Sequence, residues 1–123
     1  MPKRLFLTIL LLTLLTIPAL PAIFYVTSNA DNGAGTLRDA ITQAAANGSV
    51  TTDYIYFNLA DQTVAGRTID LLTELPTLSS NLVIDGTSQG GTPFYTTDAQ
   101  IFVRMMTYAA QFSMLKVYNC TNV

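Results

Sequence analysis

Hydrophobic positions along the chain fall into three regimes. Residues 5–17 (LFLTILLLTLLTI) form an uncharged run of 13 with only Thr as polar relief. Residues 23–28 (IFYVTS) are rich in β-branched and aromatic side chains and end in a turn cluster of Asn29, Asp31, Asn32 and Gly33, which predicts a first strand. The following GAGTLRDAITQAAANG predicts a short helix marked at both ends. Thr36 can cap it, Asp39 stands in for the Glu of a capping box, and Asn47-Gly48 closes it. Leu37, Ala40, Ile41, Ala44 and Ala45 then make one narrow apolar stripe, suited to lying on something flat.

After Gly48 the pattern shifts to short apolar runs: YIYFNL (54–59), TIDLL (68–72), LVID (82–85), QIFVRM (100–105) and MLKVY (114–118). Their centres, Ile55, Ile69, Ile84, Phe102 and Val117, are 14, 15, 18 and 15 residues apart. Polar turns separate them, among them Asp61-Gln62, Pro76-Thr77, Ser79-Ser80-Asn81 and the stretch from Thr87 to Gly91. Such spacing suits a β-sandwich or a solenoid of β-coils. Asp85-Gly86 leads into a long polar loop and not an immediate return strand, and the runs lack two-residue hairpin turns between them. That favours the solenoid.

The leading apolar run follows Lys3-Arg4 and precedes Pro18, Ala19, Leu20, Pro21 and Ala22, the layout of a secretory signal with its cleavage region. Residues 1–22 are therefore expected to be removed after Ala22. A retained membrane anchor is the competing reading, but a span needs about 20 apolar residues, and the two prolines and the strand-like IFYVTS break the run. A lipid-accepting Cys is not at the cut, because Cys120 is the one Cys. It makes no internal disulfide, and serves either as a small buried hydrophobe or as the partner of a Cys beyond residue 123.

Removing the leader changes the composition. Half of all residues are hydrophobic, yet 14 of those 61 lie in the first 22 positions. The net charge moves from −2 to −4, since Arg38, Arg67, Arg104 and Lys116 stand against eight acids. Thr, Asn and Gly are frequent, which fits extracellular β-structure. With no His, a Ser-His-Asp or Cys-His nucleophile and an ordinary zinc site are excluded. With no basic excess there is no nucleic-acid patch.

The segments FYVTSNADNGAGTLRDAITQAAANG, DYIYFNL and TIDLLTELPTLSSNLVIDGTSQGG resemble, in order, the N-terminal cap region of secreted bacterial right-handed parallel β-helix (pectin-lyase-like) surface proteins. In that group a "VT…D.G.GSLR.AI..AN" segment is followed by "I.F", "L..LP.I…" and "IDG..Q.G". The resemblance covers residues 24–91. It implies a mainly β chain with one short capping helix: a signal in 1–22, first strand and capping helix in 23–48, and first β-helix coils in 49–123. A solenoid exposes apolar side chains and strand edges at its first coil and needs a cap there, which the Ala-rich helix would supply. Leu71, Leu72, Leu75 and Leu78 would fill the interior, and Asn58 or Asn81 would stack at turns. With no second cap in sight, the chain is expected to be part of a longer protein.

The implied role is structural and adhesin-like, on the cell surface or secreted (bacterial outer membrane or extracellular), with surface glycans or envelope components as partners. Catalytic, metal and cofactor residues are expected to be none. The alternative is a β-helix polysaccharide lyase or hydrolase whose active site lies after residue 123. Asp31, Asp39, Asp53, Asp61, Asp70, Asp85 and Asp98 could in principle pair for hydrolysis or hold calcium, but turn and cap roles explain each singly. Arg38 is expected to tie the cap helix to the first coil. Tyr54, Tyr56, Phe57, Phe94, Tyr95 and Tyr108 are candidates for a sugar-stacking platform, against core packing as the default.

Overall fold

A computed structural model describes residues 20–94, 99–106 and 114–117. These residues form mostly short strands with one helix: β1 (Ile23–Val26), α1 (Leu37–Asn47), β2 (Asp53–Phe57), β3 (Thr68–Leu71), β4 (Thr77–Leu78), β5 (Leu82–Asp85), β6 (Phe102–Met105) and β7 (Lys116–Val117). A single 3₁₀ turn, Gly86–Ser88, follows β5. Residues 1–19 of the sequence-predicted leader lie outside the described residues, as do Tyr95, Asp98, Tyr108, Tyr118 and Cys120.

The strands form three small sheets, in the orders β1-β2-β5, β3-β6 and β4-β7. Every pairing is parallel. Parallel neighbours need a crossover between them, and two kinds occur. Between β1 and β2 the crossover is α1. Between β2 and β5 it runs through β3 and β4, strands of the other two sheets. After α1 the chain therefore visits the first, second and third sheets in turn, and then repeats that order. In the layer of β1, α1 occupies the stretch of chain that strands of the second and third sheets occupy in the next two layers.

Thr36 caps α1 as expected: its Oγ1 accepts from Asp39 N at 3.2 Å and donates to Gly33 O at 2.8 Å. The Asp39 carboxylate accepts from Gly35 N at 2.9 Å, so it reaches one residue beyond the backbone N–H of a regular capping box. Gly48, at φ +97°, closes the helix. Leu37, Ala40, Ile41 and Ala44 are buried, whereas Ala45 is exposed; the stripe is narrower by one position than its spacing predicts. This face packs on β1, β2 and β4.

Inward-facing side chains of all three sheets meet in one core, which includes Val26, Ile41, Ile55, Ile69, Leu71 and Leu82. Leu75 and Leu78 join it. Leu72 does not: it follows the last residue of β3 and is 60% exposed, because the alternation that points Ile69 and Leu71 inward puts Leu72, like Asp70, on the outer side. Pro76-Thr77 is no simple turn either, since Thr77–Leu78 is β4, paired with Lys116–Val117. Asn58 is exposed, and the Asn81 amide donates to Ser49 O at 2.8 Å, so Asn81 ties two loops. It also adopts φ +56°, a left-handed conformation that Asn tolerates better than most residues.

Candidate functional site

In-register parallel pairing stacks equivalent positions of successive layers on one another. On the outer face of the first sheet this builds two rows, Ile23–Tyr54–Val83 and Tyr25–Tyr56–Asp85. The alternate residues, Phe24, Val26, Ile55, Phe57 and Leu82, turn to the core. The outer face thus gathers three tyrosines. Tyr25 is 54% exposed, and its ring meets Tyr56 edge-on, with centroids 6.2 Å apart and planes at 72°. Tyr54 and Tyr56 lie 6.0 Å apart at 58°. The tilted rings make a contoured aromatic surface and not a flat shelf. Aromatic faces with hydroxyl rims suit the apolar C–H faces and hydroxyls of sugars.

Asp85 ends the second row. Its Oδ1 accepts from Thr87 N at 2.9 Å and from Thr87 Oγ1 at 2.6 Å. The Thr87 hydroxyl and then its N–H hold the Asp85 carboxyl below the usual range. It is therefore a fixed, ionised acceptor at the edge of the tyrosines.

Of the sequence-predicted aromatic set, the structure brings together Tyr54 and Tyr56. Phe57 and Phe94 are buried, and Phe94 stacks on Phe102 with centroids 4.5 Å apart. Tyr25 completes the face and was not among the candidates, although the alternation in IFYV already puts it on the same side as Ile23 and opposite Phe24 and Val26.

The acids are occupied locally. Asp31 accepts from Arg38 Nη2 at 2.9 Å and from Leu72 N at 3.0 Å. Burial alone raises its carboxyl, and the Arg38 and Leu72 hydrogen bonds more than reverse that, leaving it below the usual range. Asp53 is 2% exposed and accepts from Ala22 N at 2.9 Å and Asn47 Nδ2 at 2.8 Å. Asp61 accepts from Thr63 N at 2.9 Å. Asp70 faces Arg104 across β3 and β6, with Nε and Nη2 donating to its two oxygens at 2.7 and 2.8 Å. Among the described residues no three His, Cys, Asp or Glu side chains are grouped to hold a metal ion.

Two arginines act as staples. Arg38 donates to Asp31 O, to Thr73 O and to Glu74 O, joining α1 to the loop before β4, the tie its position predicts. Arg67 is 3% exposed. It donates to Gln62 O at 3.0 Å, Gln100 Oε1 at 2.9 Å and Thr92 O at 2.7 Å, while its guanidinium lies over the Phe94 ring.

The IDGTSQGG segment does similar work. Asp85 caps the 3₁₀ turn. Gln89 Oε1 accepts from Leu59 N at 2.7 Å and Gln89 Nε2 donates to Leu59 O at 3.2 Å, replacing a ladder partner for a buried backbone. Gly91, at φ +120°, passes so close to Gln62 and Arg67 that a Cβ would stand 2.7 Å from Gln62 Oε1. These polar anchors were not legible from hydrophobic pattern, since they join loops about 30 positions apart.

A partly open cavity of about 290 Å³ is lined by Leu37, Phe57, Ile84, Val103, Met114 and Leu115. The side chains that line it are apolar. No helix among the described residues is long and apolar enough to cross a membrane. No protein-family model, no curated protein and no solved structure matches this chain.

Proposed function

We propose that this chain is an exported, non-catalytic right-handed parallel β-helix protein of the bacterial surface, capped by α1 and contacting glycans through Tyr25, Tyr54 and Tyr56. The observation that carries the architecture is the repeated order of sheet visits, first, second and third, with parallel pairing at every step. The order, in-register stacking of like positions and a helix in the first layer are what a capped β-solenoid requires. The segments TLRDAI and IDGTSQGG, which carry the resemblance to such proteins, supply the cap, Arg38, Asp85, Gln89 and Gly91. Their roles are architectural, and that supports a scaffold over an enzyme.

The glycan contact is supported by the outer tyrosine rows. The chain has no Trp and three of its six Tyr stand on this face, so tyrosine emission responds to events there, and Tyr56→Ala isolates the contribution of the face. The net charge of −4 without residues 1–22 and the ionised Asp85 favour neutral glycans over acidic ones, because like charges repel. Titration with neutral and acidic polysaccharides should change tyrosine emission with the neutral set, and the change should vanish in Tyr56→Ala. An equal response in Tyr56→Ala would exclude the face. Release of new reducing ends from any polysaccharide would favour the lyase or hydrolase alternative.

A further inference from the structure

The leader region contains two similar cleavage patterns, Ile17-Pro18-Ala19 and Leu20-Pro21-Ala22. Each puts Ala before the cut and a larger aliphatic residue two positions earlier, so the sequence alone hardly separates them. The fold does. Residues 20 and 22 are bonded into the body of the protein. Tyr54 N donates to Ala22 O at 2.9 Å, which extends the β1–β2 ladder one residue before β1. Ala22 N donates to the buried Asp53 Oδ1 at 2.9 Å. Asn47, the last residue of α1, uses one amide group to hold Leu20 O at 3.0 Å and both Asp53 oxygens at 2.8 and 3.1 Å. Leu20, Ala22, Asn47 and Asp53 thus form one knot joining the start of the first sheet to the end of the capping helix.

A cut after Ala22 deletes two of the four members of that knot. It takes the Ala22 N–H from a carboxylate that is 2% exposed, and a buried carboxylate left short of donors is costly. It also removes the acceptor of Tyr54 N at the edge of the ladder. A cut after Ala19 leaves all of these bonds in place. We propose that the processing site is the Ala19–Leu20 bond, and that the mature protein begins at Leu20. The peptidase acts on the unfolded precursor, so the fold does not steer the cut. The product must nevertheless contain the residues that close the fold.

This inference rests on the export reading above, and the test separates the two. The whole chain with its natural N-terminus is expressed in a secretion-competent bacterial host, and the N-terminus of the pulse-labelled product is read by intact mass and N-terminal sequencing. The expected product starts at Leu20. Ala19→Gln should abolish the start at Leu20, because a large polar residue then precedes that cut, and Ala22→Gln should leave the product's start unchanged. Reading the pulse-labelled material makes both results independent of whether a variant folds. A product starting at Ile23, or processing blocked by Ala22→Gln and not by Ala19→Gln, overturns the assignment while leaving export standing. A chain that keeps Met1 overturns the export reading and the assignment with it.

Discussion

The Arg67 guanidinium lies 4.3 Å from the centroid of the Phe94 ring, and Phe94 in turn stacks on Phe102 of β6. One buried cation thereby joins the loop before β3 to the long connection between β5 and β6. Four carbonyl or amide oxygens from Gln62, Thr92 and Gln100 accept from it. Arg67→Met keeps much of the stem and removes every donor to those part-buried acceptors. Its unfolding free energy should fall by about 2–4 kcal/mol. Arg67→Lys should recover only part of it, because an ammonium cannot reproduce the planar fork. Urea titration followed by tyrosine emission measures both, and equal stability of Arg67→Met and the parent would refute the staple.

Gly91 and Gly86 provide a matched pair. Gly91 sits at φ +120° with Gln62 and Arg67 against the place of a Cβ, whereas nothing lies within 4 Å of the place of a Cβ at Gly86. Gly91→Ala should destabilise by about 1–3 kcal/mol through backbone strain and displacement of the Arg67 staple. Gly86→Ala should stay within about 0.5 kcal/mol of the parent. Thermal melts of the two variants side by side make the comparison, and a neutral Gly91→Ala would contradict the close approach described.

Acid should weaken the fold in a defined window. Asp31, Asp61, Asp70 and Asp85 all lie below their ordinary value of 3.8. The Thr63 N–H lowers Asp61, the Arg104 side chain lowers Asp70, and the Thr87 side chain lowers Asp85. A carboxyl depressed in the folded state contributes stability above its unfolded value and loses it as pH falls through its folded value. Stability should therefore hold down to about pH 4 and decline below 3.8. Asp31→Asn should flatten the decline, since Asn titrates in neither state. A melting temperature in the parent that does not change between pH 5 and pH 2 would rule the account out.

The Tyr25–Tyr56 contact predicts a coupling. Single changes to Ala on this outer face should cost little stability, and a double-mutant cycle should return about 0.2–1 kcal/mol for the cross-strand pair. A cycle of zero in chemical denaturation would mean that the rings do not meet in solution.

The hydrophobic pattern made α1 and five later strands legible, and β5 falls on the predicted LVID. Thr36 and Gly48 fixed the ends of α1 because capping is local chemistry. β4 was illegible for the opposite reason. Two residues after a proline carry no periodicity, and Thr77–Leu78 becomes a strand through pairing with Lys116–Val117. Leu72 misled because a run of adjacent leucines reads as uniformly buried, whereas strand alternation sends Leu71 inward and Leu72 outward. Asn29, whose amide holds Ala65 O and Thr68 O, and Gln89 read as ordinary loop residues. Their work is to bridge strands and corners that are distant in sequence. The tyrosine face was half legible: Tyr54 and Tyr56 alternate visibly, and Tyr25 meets them through register.

The register also carries an unequal step. Asp53 pairs with Leu82, 29 positions on, Thr68 with Phe102, 34 on, and Thr77 with Lys116, 39 on. Strand pairing persists while the chain between paired residues lengthens, so the surplus is taken up at the corners. The cross-section is thus decoupled from loop length. A peptide spliced into the connection between β5 and β6 would leave the ladder intact only where it spares Gln89, Gly91, Thr92 and Phe94, whose contacts hold that connection to the body. The lengthening of the corner is itself anchored, and sequence novelty is confined to the positions between those anchors.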